Sequence, residues 1–343
     1  MRVSVTLSTI SPVSWGGAEG ADPLVVRIPS IRGSLRRWYR WYLASVSKPD
    51  PEEIRRRENE VFGTVHEGIS EKDRKGAKRS SVKIQFGSLK YEGLWMGKDE
   101  PFLWPLRKQR RTFYTLDFEL IMEGKPKYLI EVVKALSLNL SLSGFGYRSN
   151  RGYGSFRISF NERDLREFGE VFDLLEITKE ITNAPTAISW ENSLKELLKK
   201  LKVRKLSTPE LYEIHNLSNC YIVSRGGYAD WKKALSDLER RLRDAERGLR
   251  IGRGNNVDYR VLLGSPILDP FRRRKKFWKE RRSSPLAIGA GKGYIRGVLF
   301  LSKDYPESVL DHFKGKDLLE CFDRVREELE RVGLDVQWVG DLL

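Results

Sequence analysis

Two stretches of this sequence carry side chains whose types and spacing suit the chemistry of phosphate and nucleobase binding. In IPSIRGSLRRWYR, residues 28–40, Arg32, Arg36 and Arg40 recur every four residues, with Arg37 nearby. A helix would align the three as a ridge. Gly33 sits among them, at a cost of roughly 1 kcal/mol relative to alanine in a helix, which a close backbone approach would explain. In SLSGFGYRSNRGYGSFRISF, residues 141–160, a glycine-rich loop holds Tyr147, Arg148, Arg151, Gly152 and Tyr153. Guanidinium forks match phosphate oxygens, tyrosine rings offer faces to bases, and glycines let backbone come close to a ligand. A plain glycine turn would read much the same in isolation.

Other patterns are weaker. FRRRKKFWKERR, residues 271–282, has eight basic residues in twelve, among them Arg273 and Lys275, interleaved with Phe271, Phe277 and Trp278. Such a run neutralises phosphates while its rings stack, although most charge runs are solvated surface. Ser149 stands where a dinucleotide fingerprint needs its third glycine, and Leu286 and Gly293 break a phosphate-loop reading of GAGKG. The histidines His66, His215 and His312 are far apart and in no metal-ligand pattern. His66, in a polar loop, is the one to test as a general base. No catalytic, metal or cofactor site is expected, and a binding role explains the inventory best.

The totals agree. The 343 residues carry 63 Lys+Arg against 47 Asp+Glu, a net charge of +16, which favours a polyanionic partner, nucleic acid before membrane. No apolar run has the length of a spanning helix and the N-terminus lacks a signal-peptide core, so a cytoplasmic, membrane-free protein is expected. Cys220 and Cys321 are too few for a disulfide framework and read as buried thiols.

Alternation at 2–7, 81–86, 112–120 and 156–160 predicts strands. Helices are expected from Pro29, with Ser30 as cap and Ile31, Leu35, Trp38, Tyr42 and Leu43 inward, from Pro51 to Gly63, and over 126–140. Residues 161–216 form a helical connection. A strand at NCYIVSR, a helix over 229–249, a hairpin across GAGKG, a helix at 316–332 and a strand at LDVQWV then repeat the order. The expected fold class is α+β: two ferredoxin-like (βαββαβ) domains with helical insertions, at 1–162 and 163–343, each with one sheet face free.

The helix at 28–40, with NEVFG (59–63), RSSVKI (79–84) and the loop GFGYRSNRGYGSF (144–156), resembles the RAMP superfamily, in its Cmr (type III-B CRISPR) subunit-one branch. SSPLAI in the second half is also similar. The resemblance implies two RRM-like RAMP domains in a non-catalytic, RNA-binding subunit of a ribonucleoprotein for antiviral defence. Its partners would be single-stranded RNA, both guide (toward the 3′ part) and target, and other Cmr subunits. Carried over by position, Arg32, Gly33, Arg36, Arg148, Arg151 and Gly152 become the RNA-binding residues, joined by Trp15, Gly16 and Gly17 of an early glycine-rich loop. Two other readings remain: a metal-independent endoribonuclease that processes guide RNA through His66 or Tyr147, and a basic module for an acidic protein or membrane surface.

Overall fold

In the computed structural model the described residues are 1–15, 26–47, 50–64, 79–96, 112–146, 149, 152–249, 259, 262, 285–303, 313 and 316–343. The first half contains strand β1 (Arg2–Thr9), helices α1 (Ile28–Val46) and α2 (Pro51–Phe62), strands β2 (Val82–Met96) and β3 (Thr112–Gly124), helix α3 (Pro126–Leu142) and strand β4 (Phe156–Ser159). The four strands form an antiparallel sheet in the order β2-β3-β1-β4. Alternate residues Val3, Val5 and Leu7 of β1 point into a core shared with Ile31, Leu35 and Trp38 of α1 and with α3, as the sequence alternation demands. Two boundaries differ from expectation. Helix α1 starts at Ile28, because the Arg27 carbonyl already accepts the amides of Ser30 and Ile31, so Ser30 is a first-turn residue and not the cap. Strand β2 runs ten residues past the apolar alternation that announces it, carried by pairing with β3 as far as Met96.

Helices α4 (Glu162–Leu165), α5 (Glu170–Asn183) and α6 (Ala187–Lys200) lead to a second antiparallel sheet, of order β6-β7-β5-β8. Its strands are β5 (Cys220–Arg225), β6 (Leu286–Ala290), β7 (Ile295–Phe300) and β8 (Asp335–Trp338). Helices α7 (Trp231–Gly248), α8 (Leu318–Arg331) and α9 (Val339–Leu342) complete the half. The free face expected of this sheet is absent. Leu286, Ile288 and Ala290 of β6 pack with α7 and α8, whereas Ala287, Val298 and Phe300 join the core of the first half, beside Trp190 and Leu194 of α6. β6 and β7 are therefore buried on both faces, which is why YIRGVLFL reads as a nearly continuous apolar run and not as an alternation. In return, Phe113 and Tyr153 of the first half enter the core of the second. Cys220 and Cys321 are free, buried thiols.

Candidate nucleic-acid interface

Helix α1 owes its length to an apolar face that buries Ile31, Leu35, Trp38, Tyr39 and Tyr42. Its remaining surface is shared out in a way the sequence spacing did not show. The ridge of Arg32, Arg36 and Arg40 faces α2, not a ligand. Arg36 Nε donates to Glu58 Oε1 at 2.7 Å, and Arg40 Nε lies 3.0 Å from Glu58 Oε2. Glu58 is buried, so these contacts hold two helices together. Arg32 donates to the Phe62 carbonyl at the end of α2, and burial together with the neighbouring Arg36 lowers its pKa. The acidic balance missing from α1 is supplied by α2, 22 residues later in the chain.

Arg37 is different. It points away from Glu58, its guanidinium lies over the Trp41 ring at 5.4 Å, and no ion pair is recorded for it among the described residues. Burial, with a smaller push from Arg40, pulls its pKa down to about 10, so it remains a cation at neutral pH. Its Nε is buried without a hydrogen-bond partner.

Arg37 lines a cleft of about 300 Å³ at the end of the molecule where α1 begins and α3 ends. One wall is α1 itself, through Ser30, Gly33 and Ser34. The opposite wall is the glycine-rich loop, through Gly146 and Ser149, and Trp15 closes one side. Gly146 has a φ of +92°, and a Cβ there would sit 2.7 Å from the Ser14 carbonyl oxygen, so the loop can lie against the 10–15 segment only because this residue is glycine. The Trp15 ring meets Phe118 edge-on at 6.1 Å, while its Nε1 is buried with no acceptor. Asn139 donates to the Ser34 hydroxyl at 2.7 Å, fixing that side chain from α3. Gly33 is exposed at the cleft, and a Cβ built on it meets nothing within 4 Å. Neighbouring backbone therefore does not explain its absent side chain.

The site is thus rich in donors and free of carboxylates among the described residues: a guanidinium, an indole N–H and serine hydroxyls beside the first turns of a helix. Such an arrangement attracts an anion with oxygen acceptors, and the helix N-terminus adds to that field. The helix of the first stretch and the loop of the second face each other across this cleft, through Gly33 and Arg37 on one side and Gly146 and Ser149 on the other; the loop arginines lie outside the described residues. Ser30, Ser34, Gly146 and Ser149 were not singled out as binding residues beforehand. Positions 30, 33, 34 and 37 share one helical face, a periodicity that would have picked out both serines.

Other candidate residues sit elsewhere. Gly152 is buried where the halves meet: its φ is +90°, its amide donates to the Ile288 carbonyl at 2.8 Å, and its carbonyl accepts from Ser11 Oγ at 2.7 Å. A Cβ there would collide with Leu235 of α7. Tyr153 is wholly buried, its ring 5.0 Å from that of Phe113, and presents no face to a base. Both are packing residues, because the second half folds over this end of the loop. Gly16, Gly17, His66, Tyr147, Arg148, Arg151, Arg273 and Lys275 lie outside the described residues. His215 stacks on Phe300 at 5.0 Å within the core, its Nδ1 against Ser302 Oγ.

Comparison with known proteins bears on this arrangement. The model of the RAMP superfamily matches residues 6–157, the span of the first sheet, its helices and the glycine loop. Over these residues the chain is similar to the RAMP superfamily. The chain is similar to CRISPR system Cmr subunit Cmr1-1 of Pyrococcus furiosus, with 27% identity over 333 residues, covering 87% of each chain. Its fold resembles the crystal structure of apo Cmr1 from Pyrococcus furiosus, at a TM-score of 0.61 and 22% identity over 99% of both chains. It also resembles a chain of the type III-B Cmr-beta assembly bound to cognate target RNA, at a TM-score of 0.54 and 12% identity, covering 96% of this chain and 99% of that one.

Proposed function

We propose that this chain is a non-catalytic, RNA-binding subunit of a type III-B CRISPR (Cmr) ribonucleoprotein, contacting target RNA and the 3′ part of the guide RNA. The observation that carries the reading is the cleft between α1 and the glycine loop, lined by the cationic Arg37 and by Trp15 and, among the described residues, by no carboxylate. Phosphate contacts of this kind position a strand and leave sequence selection to base pairing between guide and target. The similarity to a Cmr subunit supplies the assembly. The strand orders β2-β3-β1-β4 and β6-β7-β5-β8, each within a strand-helix-strand-strand-helix-strand sequence, support two ferredoxin-like domains, divided near residue 162. No helix among the described residues is long and apolar enough to cross a membrane, and the reading places the subunit in the cytoplasm.

The test is a salt series. Each phosphate neutralised by a cation contributes about 0.7 to the slope of log affinity against log salt for a single strand. Arg37→Ala is expected to weaken binding of single-stranded RNA and to reduce that slope by about this amount, in the full chain and in the assembled complex. RNA is recovered intact in both. An unchanged slope overturns the assignment of Arg37, and cleavage abolished by changing His66 would replace the reading with a processing nuclease.

A further inference from the structure

Four large apolar side chains stand exposed among the described residues, and three of them share one strand. Phe86, Leu89 and Tyr91 of β2 are 42%, 41% and 46% exposed, whereas Ile188 stands alone at the start of α6. Their partners across the ladder are Leu120, Phe118 and Leu116, all buried on the helix-covered face of the sheet. The three therefore lie on that same face, on the outermost strand, beyond the cover that α1 and α3 give to β1 and β3. Register shifts between Phe86 and Leu89 and between Tyr91 and Gly93 keep this edge irregular and set against pairing with another strand.

This stripe is linked to the Trp15 wall of the cleft through a short series of packed side chains. Leu89 lies across from Phe118, whose ring meets Trp15, and the Tyr91 ring meets that of Tyr114 edge-on at 5.8 Å. Tyr114 in turn exchanges two backbone hydrogen bonds of 2.9 Å with Val13, two residues before Trp15. From Phe86 to Tyr91 the stripe spans four residues of β3, roughly 13 Å at the rise of a strand. That is the length of about four stacked bases at 3.4 Å each. Lys83 and Lys90 are exposed along the same strand. Three side chains fall far short of the roughly 20–30 residues that each side of a stable protein interface uses. They do match what a single strand needs from a stacking platform.

We propose that Phe86, Leu89 and Tyr91 form a stacking shelf for two or three consecutive unpaired bases of the RNA strand whose backbone is seated in the Arg37 cleft. The inference rests on the RNA-binding reading of that cleft and adds a direction: the strand leaves the cleft past Trp15 and runs along β2. The shelf reads base faces without preference among the four bases, whereas the cleft reads only the backbone.

The experiment compares Leu89→Ala, Tyr91→Ala and the double variant with Arg37→Ala. Each binds a single-stranded RNA and the same RNA carrying three consecutive abasic ribose units. Loss of the shelf is expected to weaken binding of the intact RNA roughly tenfold, while Tyr91→Phe keeps the ring and the affinity. The abasic RNA binds the native chain less tightly, and shelf variants weaken it no further. Arg37→Ala weakens both RNAs. If Arg37→Ala acts and the shelf variants bind intact RNA as the native chain does, the shelf is refuted and the cleft stands. If neither set acts, the RNA-binding reading falls and takes the shelf with it. Unchanged RNA binding with loss of the chain from the assembled complex would make the stripe a protein-docking face and overturn the proposal. Thermal unfolding of each variant, with Leu89 and Tyr91 at exposed positions and Arg37 largely buried, verifies that the chain remains folded.

Discussion

Gly33→Ala separates binding from folding, because the structure predicts opposite signs for the two. Gly33 is the sixth residue of a 19-residue helix, with ordinary helical φ, and a methyl there meets no atom within 4 Å. Alanine in such a position stabilises a helix by about 0.8–1.0 kcal/mol relative to glycine, with no packing penalty to set against it. In a chain of this size that is a rise of about 1 °C in the unfolding midpoint. The same methyl occupies the floor of the cleft. A ligand lying close against the helix backbone must shift, and crowding a fitted contact costs about 1–3 kcal/mol, so affinity for single-stranded RNA falls by roughly 5- to 150-fold. Differential scanning calorimetry reads the first effect and fluorescence anisotropy with a labelled RNA reads the second. A variant that melts higher and binds unchanged refutes the cleft as the seat of the strand. A variant that melts lower refutes the claim that the space above Gly33 is open.

Gly152→Ala should destabilise the fold by about 1–3 kcal/mol, since the position has a φ of +90° and Leu235 already fills the space a Cβ would take. Denaturant unfolding measures it, and a neutral result would mean that the halves are not joined at this point. Asp237 is pushed upward by burial, but hydrogen bonds from Tyr228, Arg240 and Arg241 outweigh this and hold its pKa at about 2. Its folded pKa is thus below the ordinary 3.8, so its contribution is complete above pH 4 and disappears as pH falls through about 2. Asp237→Asn should flatten the stability profile in that window; a profile identical to the native one would contradict the network. Arg296 is wholly buried on β7, with the Tyr294 hydroxyl beside it and no ion pair recorded among the described residues. Burial lowers its pKa. Arg296→Met, of similar length and without the charge, is expected to unfold at or above the native midpoint, because an uncompensated charge costs more to bury than a thioether. A loss of more than about 2 kcal/mol would show that the guanidinium is held by good partners.

Much of the fold was legible because it is written in short-range periodicity. Val3, Val5 and Leu7 alternate, the apolar positions of α1 recur at helical spacing, and Asp50-Pro51 announces α2 with a cap that accepts the Glu52 amide. The resemblance to the RAMP superfamily in the first half likewise rested on contiguous motifs. What periodicity does not contain is the partner of a given face. Arg32, Arg36, Arg37 and Arg40 look equivalent as a series, yet α2 brings Glu58 against two of them and the Phe62 carbonyl against a third, leaving Arg37 alone to face the cleft. Gly152 and Tyr153 look like loop residues offered to a ligand, until the second half packs over them.

The sequence by itself therefore determined most of the strands and helices, the basic balance and the two stretches from which the cleft is built. Those are properties of local spacing and composition, which need no knowledge of what lies across the core. Only the tertiary structure decided which charge stays unneutralised and which ring remains exposed. Both depend on contacts between residues distant along the chain, and a charge or a ring acquires its function from what it is left facing once those contacts have formed.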